Sequence, residues 1–303
     1  MVQAYIQAAI EEHKLDTDFD HTVEAWYKPL ANRLADVRAG QSSTLVVGVQ
    51  GTQGSGKSTL ADFLRRILHH EHELNCVVCS IDDFYLTKAE RLNLSAMVHP
   101  LLKTRGVPGT HDVDLALKVI RDLSQLDSGK TALIPRFDKA LDDRSDISEW
   151  TEASGPIDII LLEGWCVGLP PQEEATLTEP VNYLEAEEDV EGEWRRYVNR
   201  RLGQDYKELF ALLDFMVVIN APSFGVVFEW RLLQEQKLAQ KLQEDGRVDE
   251  TEKLLTGQQV KRFIAHYQRL TEHALDVMPK VADWVMFLDV NHNIVSSSEQ
   301  SAS

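Results

Sequence analysis

One segment of the chain combines glycines, a lysine and a serine at a spacing that binds phosphate groups. Residues 51–58 read Gly-Thr-Gln-Gly-Ser-Gly-Lys-Ser and match the pattern G-x-x-x-x-G-K-[ST]. Glycines let backbone N–H groups converge on phosphate oxygens, and the start of a helix adds partial positive charge. Lys57 can then reach the β- and γ-phosphates of a nucleotide, and the Ser58 hydroxyl can bind Mg²⁺. The predicted nucleotide-binding residues of this phosphate loop are Gly51, Thr52, Gln53, Gly54, Ser55, Gly56, Lys57, Ser58 and Thr59.

Carboxylates follow two further apolar runs. Asp82 and Asp83 come directly after the run that ends at Ile81, and Glu163 comes after the run that ends at Leu162. Ligands of open parallel sheets bind beyond the carboxyl ends of the strands, so we expect these carboxylates near the phosphate loop. A carboxylate there can accept a proton from an attacking hydroxyl or hold Mg²⁺. Asp82 and Asp83 could instead be turn or cap residues, but the neighbouring phosphate loop favours catalysis.

A basic group lies between the second and third predicted strands. Its members are Arg105, His111, Arg136, Lys139 and Arg144. Together they could clamp a small anionic acceptor or steady a transferring phosphoryl group, although each alone could be an ordinary surface charge. In the same region residues 109–112 could instead form a turn in which Asp112 caps the helix that contains Leu115, and the two roles are compatible.

Composition restricts the class of protein. The 303 residues are 43% hydrophobic and 26% charged, which fits a globular protein and excludes long disorder, collagen-like repeats and coiled-coil rods. The formal net charge of -18 disfavours binding to nucleic acid or to an anionic membrane. The apolar runs are too short to span a bilayer, and residues 1–14 lack the apolar core of a secretory signal.

The three cysteines indicate a reducing cytoplasm rather than a disulfide framework. Cys76 and Cys79 form a C-x-x-C pattern inside an apolar run. With no second cysteine pair and no nearby histidine, we interpret them as buried strand residues and not as a zinc or redox site.

Apolar patterning predicts the elements that position these groups. Short apolar runs alternate with segments of helical periodicity. This pattern indicates an α/β fold, with a mostly parallel sheet flanked by helices. The first 40 residues have helical periodicity and are predicted to form an extension packed on the main domain, and the serine-rich end is predicted to fray. The predicted strands are 45–49, 76–81, 157–162, 215–219 and 284–288, and the main predicted helices are 58–69, 115–126, 223–242 and 260–275.

These motifs together resemble the phosphoribulokinase, uridine kinase and pantothenate kinase group. The shared features are the phosphate loop, S-x-D-D-F-Y after the second strand, G-x-P-x-x-x-D, P-x-F-D, and E-G after a buried strand. Within that group, three segments are most similar to the D-glycerate 3-kinase family. They are R-G-V-P-G-T-H-D from Arg105, L-L-E-G-W-C-V-G from Leu161, and E-W-R-L-L-Q-E from Glu229 to Glu235.

The resemblance, which covers roughly residues 45–292, implies a P-loop NTPase fold and phosphoryl transfer from ATP with Mg²⁺ to a hydroxyl group. Together with the helical periodicity of the first 40 residues and the serine-rich end, it predicts a division into a helical extension (1–43), a kinase domain (44–295) and a frayed tail (296–303). Asp82 matches the proposed general base, Glu163 matches the acidic residue near Mg²⁺, and Lys57 completes the predicted catalytic set. Asp138 matches an acceptor-contacting aspartate of nucleoside kinases, and Asp83 and Tyr85 are predicted acceptor contacts from the same motifs. Arg231 matches a position that, in related kinases, usually lies next to the nucleotide base or phosphates.

Related kinases have a helical lid with arginines that contact phosphate. The candidates here are Arg195, Arg196, Arg200 and Arg201, and the sequence does not decide among them. The preceding residues 170–194 hold nine acidic residues and neither Lys nor Arg, which is typical of a solvated acidic loop.

The leading hypothesis is an ATP-dependent kinase that phosphorylates D-glycerate at its 3-hydroxyl. A short hydroxy acid has a carboxylate that an arginine can hold in two bonds, whereas a neutral nucleoside would not need so many cations. The same cations could instead bind the phosphates of ATP. The alternatives are a nucleoside, pantothenate or other sugar-acid kinase, and a P-loop protein that binds ATP without transfer. Asp82 disfavours the last class, because a pure binder needs no positioned base.

Overall fold

A six-stranded sheet forms the centre of the protein. The computed structural model describes residues 3–233 and 257–300, and its strands are β1 (Leu45–Gly51), β2 (Cys76–Ser80), β3 (Thr131–Ile134), β4 (Phe137–Asp138), β5 (Asp143–Arg144), β6 (Thr151–Ser154), β7 (Ile159–Gly164), β8 (Phe215–Asn220), β9 (Trp284–Leu288) and β10 (Ile294–Glu299). In the central sheet, five parallel strands and one antiparallel edge strand run in the order β10-β9-β8-β1-β7-β2. Two short two-stranded sheets, β3–β6 and β4–β5, lie outside it.

Helices cover both faces of this sheet, so the predicted α/β fold with a mostly parallel sheet is confirmed. Among the helices of residues 3–233 and 257–300, none combines the length and the apolar composition that a membrane span requires. The predicted helix 223–242 begins at residue 224, and its part beyond residue 233 lies outside the described residues. The helices are α1 (Ala4–Glu12), α2 (Asp20–Thr22), α3 (Lys28–Ala39), α4 (Lys57–His72), α5 (Lys88–Met97), α6 (Val113–Ser124), α7 (Tyr183–Glu188), α8 (Glu193–Gly203), α9 (Asp205–Phe210), α10 (224–233) and α11 (Gly257–Val281).

The five main strands are those that the apolar runs predict. β1 is buried along its whole length, because it pairs with β7 on one side and β8 on the other and helices cover both faces. Cys76 and Cys79 are buried in β2, as predicted, and burial raises the pKa of the Cys79 thiol to about 12. The Asp112 carboxylate accepts a hydrogen bond from the Leu115 N–H and caps α6, also as predicted.

The N-terminal helices pack on one face of α4. Leu30 and Leu34 of α3 are fully buried in the same apolar cluster as α4. Phe19 and Tyr27, from the turns between α1 and α3, each lie within 6 Å of the Phe63 ring on α4. The helical extension is therefore built into the apolar core on this face of the sheet.

The prediction of a frayed tail from residue 296 is wrong as far as Glu299. Residues Ile294–Glu299 form β10, which pairs antiparallel with β9 at the edge of the sheet. Its side chains from residue 296 onward are exposed, so the serine-rich composition carries no apolar signal. The pairing uses backbone groups, which every residue except proline supplies in full.

The interpretation of residues 170–194 as a solvated acidic loop is wrong for two carboxylates. Glu185, on α7, is 1% exposed and accepts hydrogen bonds from the Arg269 guanidinium at 2.8 and 2.6 Å. Asp189 is 2% exposed and accepts from Arg195 at 3.0 Å. A buried carboxylate needs a cation partner, and both partners come from outside the acidic stretch. These two ion pairs fasten α7 to α11 and α8.

The Glu185–Arg269 pair gives a test of this part of the fold. Replacing Glu185 by alanine leaves a buried guanidinium without its carboxylate, which should lower the free energy of unfolding by about 3–5 kcal/mol. The matched control is Glu188→Ala, on the same helix, whose pair with Arg262 is exposed and worth about 0–1 kcal/mol. Urea denaturation measures both. Equal losses in the two variants would contradict the assignment.

Candidate active site

A cavity of about 640 Å³ opens beside the phosphate loop. Among the residues that the structure describes, six lysines and arginines line it against two carboxylates, Asp82 and Asp142, although the chain as a whole has a net charge of -18. The cations are Lys57, Arg91, Lys103, Arg105, Lys139 and Arg231. The cavity is therefore a locally positive site for anions in an acidic protein.

The phosphate loop connects the end of β1 to the start of α4. Gly54 and Gly56 have φ angles of 80° and 87°, a left-handed conformation that favours glycine. The backbone thus turns directly into the N-terminus of α4, where Lys57 is the first helical residue. Within the described chain, buried Thr52 Oγ1 and Ser55 Oγ have no hydrogen-bond partner. A loop of this shape at a helix N-terminus fits the phosphates of a nucleotide.

Asp82 lies in the turn after β2 and lines the cavity with Lys57. Its carboxylate accepts hydrogen bonds from the Tyr85 hydroxyl at 2.8 Å and from Lys139 Nζ at 2.7 Å. Burial alone would raise the pKa of Asp82, but the positive charges of Lys139 and Lys57 and the two hydrogen bonds hold it below its ordinary value. Asp82 is therefore ionised at neutral pH and has the charge that a proton acceptor needs.

Glu163 and Ser58 meet beside the loop. The Ser58 hydroxyl donates to Glu163 Oε1 at 2.9 Å, and Glu163 is 5% exposed at the end of β7. Its other oxygen, Oε2, is buried and has no hydrogen-bond partner within residues 3–233 and 257–300. Hydroxyl and carboxylate oxygens are ligands that Mg²⁺ accepts, so this pair fits the predicted metal position.

Two members of the predicted basic group line the cavity, and each has a carboxylate partner. Arg105 forms an ion pair with Asp142, and Lys139 forms one with Asp82. Burial would raise the pKa of Asp142, but the guanidinium groups of Arg91 and Arg105 hold it below its ordinary value. These cations therefore stabilise acidic groups of the protein's own cavity.

The structure does not bring the other three members of the basic group to the cavity. Arg144 donates to Asp112 at 2.9 Å, and Arg136 donates to Asp83 at 2.9 Å. His111 is buried against the Tyr206 hydroxyl, and burial lowers its pKa to about 4, so its ring is neutral at neutral pH. Sequence spacing could not show these pairings, because the partners come from other parts of the fold.

Relatives of the chain are kinases. It is 34% identical over 229 residues to the uncharacterized kinase mug58 of Schizosaccharomyces pombe, a match that covers 73% of this chain and 78% of that protein. It is 30% identical over 230 residues to the chloroplastic D-glycerate 3-kinase of Arabidopsis thaliana, covering 74% of this chain and 46% of the relative. The chain belongs to the D-glycerate 3-kinase-like family of P-loop kinases.

A solved structure agrees with this membership. The D-glycerate 3-kinase from Cryptococcus neoformans superposes with a TM-score of 0.74 at 28% identity, covering 91% of this chain and 99% of that chain. No family model matches the chain. The predicted P-loop kinase fold is therefore confirmed, and the chain is a phosphotransferase of this kinase family.

Within this kinase fold, several predicted contacts lie away from the cavity lining. Asp83 is bound by Arg136 and the Phe137 N–H, and burial raises its pKa. Asp138 accepts hydrogen bonds from two backbone N–H groups of the turn that follows it. Both carboxylates therefore stabilise the hairpin of β4 and β5 beside the cavity.

None of the four candidate lid arginines is among the described residues that line the cavity. Arg195 is 3% exposed and donates to Asp189 and to the Leu177 and Thr178 carbonyls, so it has a structural position. Arg200 and Arg201 both lie over the ring of Tyr197. Arg231, which is predicted to contact the nucleotide, lines the cavity, and its guanidinium lies 5.4 Å from the centre of the Phe263 ring.

The cavity also contains residues that sequence reasoning missed. Lys103 lies two residues before Arg105, so its position beside a recognised motif was the available signal. Tyr267 comes from α11, far along the chain, and nothing in the sequence connects it with the phosphate loop. The missed lining residues are Arg91, Lys103, Thr104, Asp142, Trp165, Phe263 and Tyr267.

The ion pair between Lys139 and Asp82 predicts a change in pH dependence. Lys139→Ala removes the first of the positive charges that lower the pKa of Asp82 and leaves the burial that raises it. If Asp82 must be ionised for transfer, the acid limb of kcat/KM should move to higher pH. The pH profile measures this shift directly.

The control variant is Lys118→Ala, which removes an equal charge from an exposed pair on α6. Its acid limb should stay at the wild-type pH. An unshifted limb in Lys139→Ala would show that Lys139 does not control the pKa of Asp82.

Proposed function

We propose that this protein transfers the γ-phosphoryl group of ATP, with Mg²⁺, to the 3-hydroxyl of D-glycerate. The observation that carries the proposal is that an ionised carboxylate, Asp82, and the phosphate-loop lysine, Lys57, line one cavity with an excess of cations. The proposed base, Asp82, and the proposed phosphate-binding group, Lys57, thus line the same cavity. The named activity of the Arabidopsis and Cryptococcus relatives supports glycerate as the acceptor.

In this proposal the phosphate loop and Lys57 hold the β- and γ-phosphates. Backbone N–H groups at the start of α4 offer fixed donors, and Lys57 stabilises charge that develops on the transferring group. Ser58 and Glu163 would hold Mg²⁺, which neutralises phosphate charge when it is bound. Arg231 lies at the same cavity and is a further candidate for phosphate contact.

Asp82 accepts the proton of the acceptor hydroxyl as its oxygen bonds to the γ-phosphorus. The bond between that phosphorus and the β–γ bridging oxygen breaks, and ADP leaves with the electron pair. Lys139 and the Tyr85 hydroxyl each hold one oxygen of the carboxylate, so its orientation is fixed before the acceptor arrives. Tyr85 itself is buried and stacks on the neutral ring of His111, which supports that orientation.

The charge of the cavity favours a small anionic acceptor over a neutral nucleoside. A hydroxy acid adds one negative charge to a space where, among the described residues, cations outnumber carboxylates, so its binding improves the charge balance. Tests with purified protein, ATP·Mg²⁺ and D-glycerate, L-glycerate, uridine or pantothenate separate the candidates. NMR should identify 3-phosphoglycerate from the D-isomer. Efficient phosphorylation of uridine or pantothenate, with none of glycerate, would refute the proposal.

Two neighbouring aspartates provide a matched test of the base. Asp82→Asn keeps the size of the side chain and removes proton acceptance, so transfer should fall by about 10²- to 10⁴-fold while ATP still binds. Asp83→Asn changes the next residue, which faces Arg136 outside the cavity, and should keep turnover of the folded protein near wild type. The opposite result, with Asp83→Asn inactive and Asp82→Asn active, would move the base to Asp83.

Lys57→Ala tests the phosphate loop. The Lys57 side chain lines the cavity, so its loss should leave the fold intact and reduce transfer by roughly 10²-fold or more. Single-turnover kinetics and circular dichroism measure the two effects. Near-normal phosphoryl transfer in this variant would contradict the assignment of residues 51–58 as the loop that binds the phosphates of ATP.

A further inference from the structure

We propose that Lys103, with the adjacent Thr104, forms the subsite that binds the carboxylate of the acceptor. This inference rests on the proposed function and deepens it, because it assigns the residue that separates a hydroxy acid from a neutral alcohol. Both residues line the cavity that contains Asp82 and Lys57. Lys103 ends a helical turn, Pro100–Lys103, on the chain segment that leads into Arg105.

The charge balance of the cavity leaves Lys103 available for a ligand. Lys139 is paired with Asp82, and Arg105 with Asp142. Lys57 belongs to the phosphate loop. Lys103 is exposed to the cavity, and its ammonium group has no hydrogen bond or ion pair with any residue of 3–233 or 257–300. A carboxylate brought into the cavity therefore finds a cation that no group in the described part of the chain already neutralises.

Arg91 is an unsuitable partner for the acceptor although it lines the same cavity. It is 1% exposed, and its guanidinium donates to the carbonyls of Leu86, Lys103 and Asp142 at 3.1, 3.0 and 2.7 Å. An ion pair with the Asp142 carboxylate completes its contacts. Its role is to hold backbone in place, including the carbonyl of Lys103.

The segment that carries Lys103 is fixed at three successive points. Arg91 holds the Lys103 carbonyl, the Tyr267 hydroxyl donates to the Arg105 carbonyl at 3.3 Å, and Trp165 Nε1 donates to the Gly106 carbonyl at 3.0 Å. Gly106 has a φ of 137°, and a Cβ there would lie 2.1 Å from the Tyr267 hydroxyl oxygen. A backbone fixed in this way reduces the ordering cost when a side chain captures a ligand.

Lys103 and Thr104 together offer the donors that a carboxylate needs. The ammonium group supplies charge and up to three N–H donors, and the threonine supplies one O–H donor. Arg105 is less suitable, because the adjacent Asp142 carboxylate would repel a second one. With the carboxylate held at Lys103, the hydroxyl end of a short hydroxy acid is free to face Asp82. The subsite thus orients the acceptor as well as selecting it.

The test compares D-glycerate with glycerol, which has the hydroxyls and lacks the carboxylate. Lys103→Met removes the charge and keeps an unbranched side chain. The variant loses a hydrogen bond between charged groups, so it should raise KM for D-glycerate roughly 10- to 100-fold. KM for ATP and turnover of glycerol should stay at wild-type values, so the preference for D-glycerate over glycerol falls by the same factor.

Two further variants complete the design. Lys103→Arg keeps the charge and should restore most of the affinity for D-glycerate. Lys118→Met removes a lysine from the exposed face of α6 and should change nothing. Calorimetric titration of D-glycerate into the protein with ADP·Mg²⁺ measures the same loss as a dissociation constant and does not depend on turnover.

Each contrary result has a distinct meaning. An unchanged preference and dissociation constant in Lys103→Met would overturn the subsite. A rise in KM for ATP equal to that for D-glycerate would assign Lys103 to the nucleotide and overturn it as well. If the wild-type protein neither binds nor phosphorylates D-glycerate, the proposed function fails, and the subsite fails with it.

Discussion

The parallel register of β1 between β7 and β8 is the constraint on which the site depends. Val49 of β1 and Ser80 of β2 both lie opposite Glu163 of β7, so the three strands end at one level. The phosphate loop, the turn with Asp82 and the Glu163 carboxylate therefore emerge at one edge of the sheet. Because side chains alternate between the faces of a strand, a shift of one residue would turn Glu163 away from Ser58. The buried apolar residues of β1 and β7 fix this register.

Burial and ion pairing have opposite effects on the pKa values of Asp82, Asp83 and Asp142, and the charged partner decides the direction of the shift. Asp82 and Asp83 are neighbours in one turn, yet the pKa of the first is lowered and that of the second is raised. Burial raises both, but Asp82 faces Lys139 and Lys57, whereas the contacts of Asp83 with Arg136 do not overcome its burial. The same turn thus produces one carboxylate suited to accept a proton in the cavity and one that fastens the β4–β5 hairpin.

Sequence patterns predicted the parts of the site that are local in the chain. The phosphate loop, the carboxylates after β2 and β7, and the five main strands all depend on short runs whose chemistry is readable in order. The basic group was harder, because Arg136 and Arg144 have carboxylate partners that only the folded chain brings close. Tyr267 and Asp142 were not predicted as cavity residues for the same reason, because only folding brings them close to the phosphate loop. β10 was missed because its pairing uses backbone groups and its side chains are exposed.

The negative net charge of the chain and the positive charge of the cavity have opposite effects on an anionic substrate. A net charge of -18 repels anionic substrates at long range, although salt screens this repulsion beyond about 8 Å at physiological ionic strength. Attraction must therefore come from charges within the cavity, where screening is weaker. Most cavity cations are paired with the protein's own carboxylates or held by its carbonyls, which prevents the site from binding every anion strongly. Selectivity then depends on Lys57 at the phosphate loop and on Lys103, which have no such partner within residues 3–233 and 257–300.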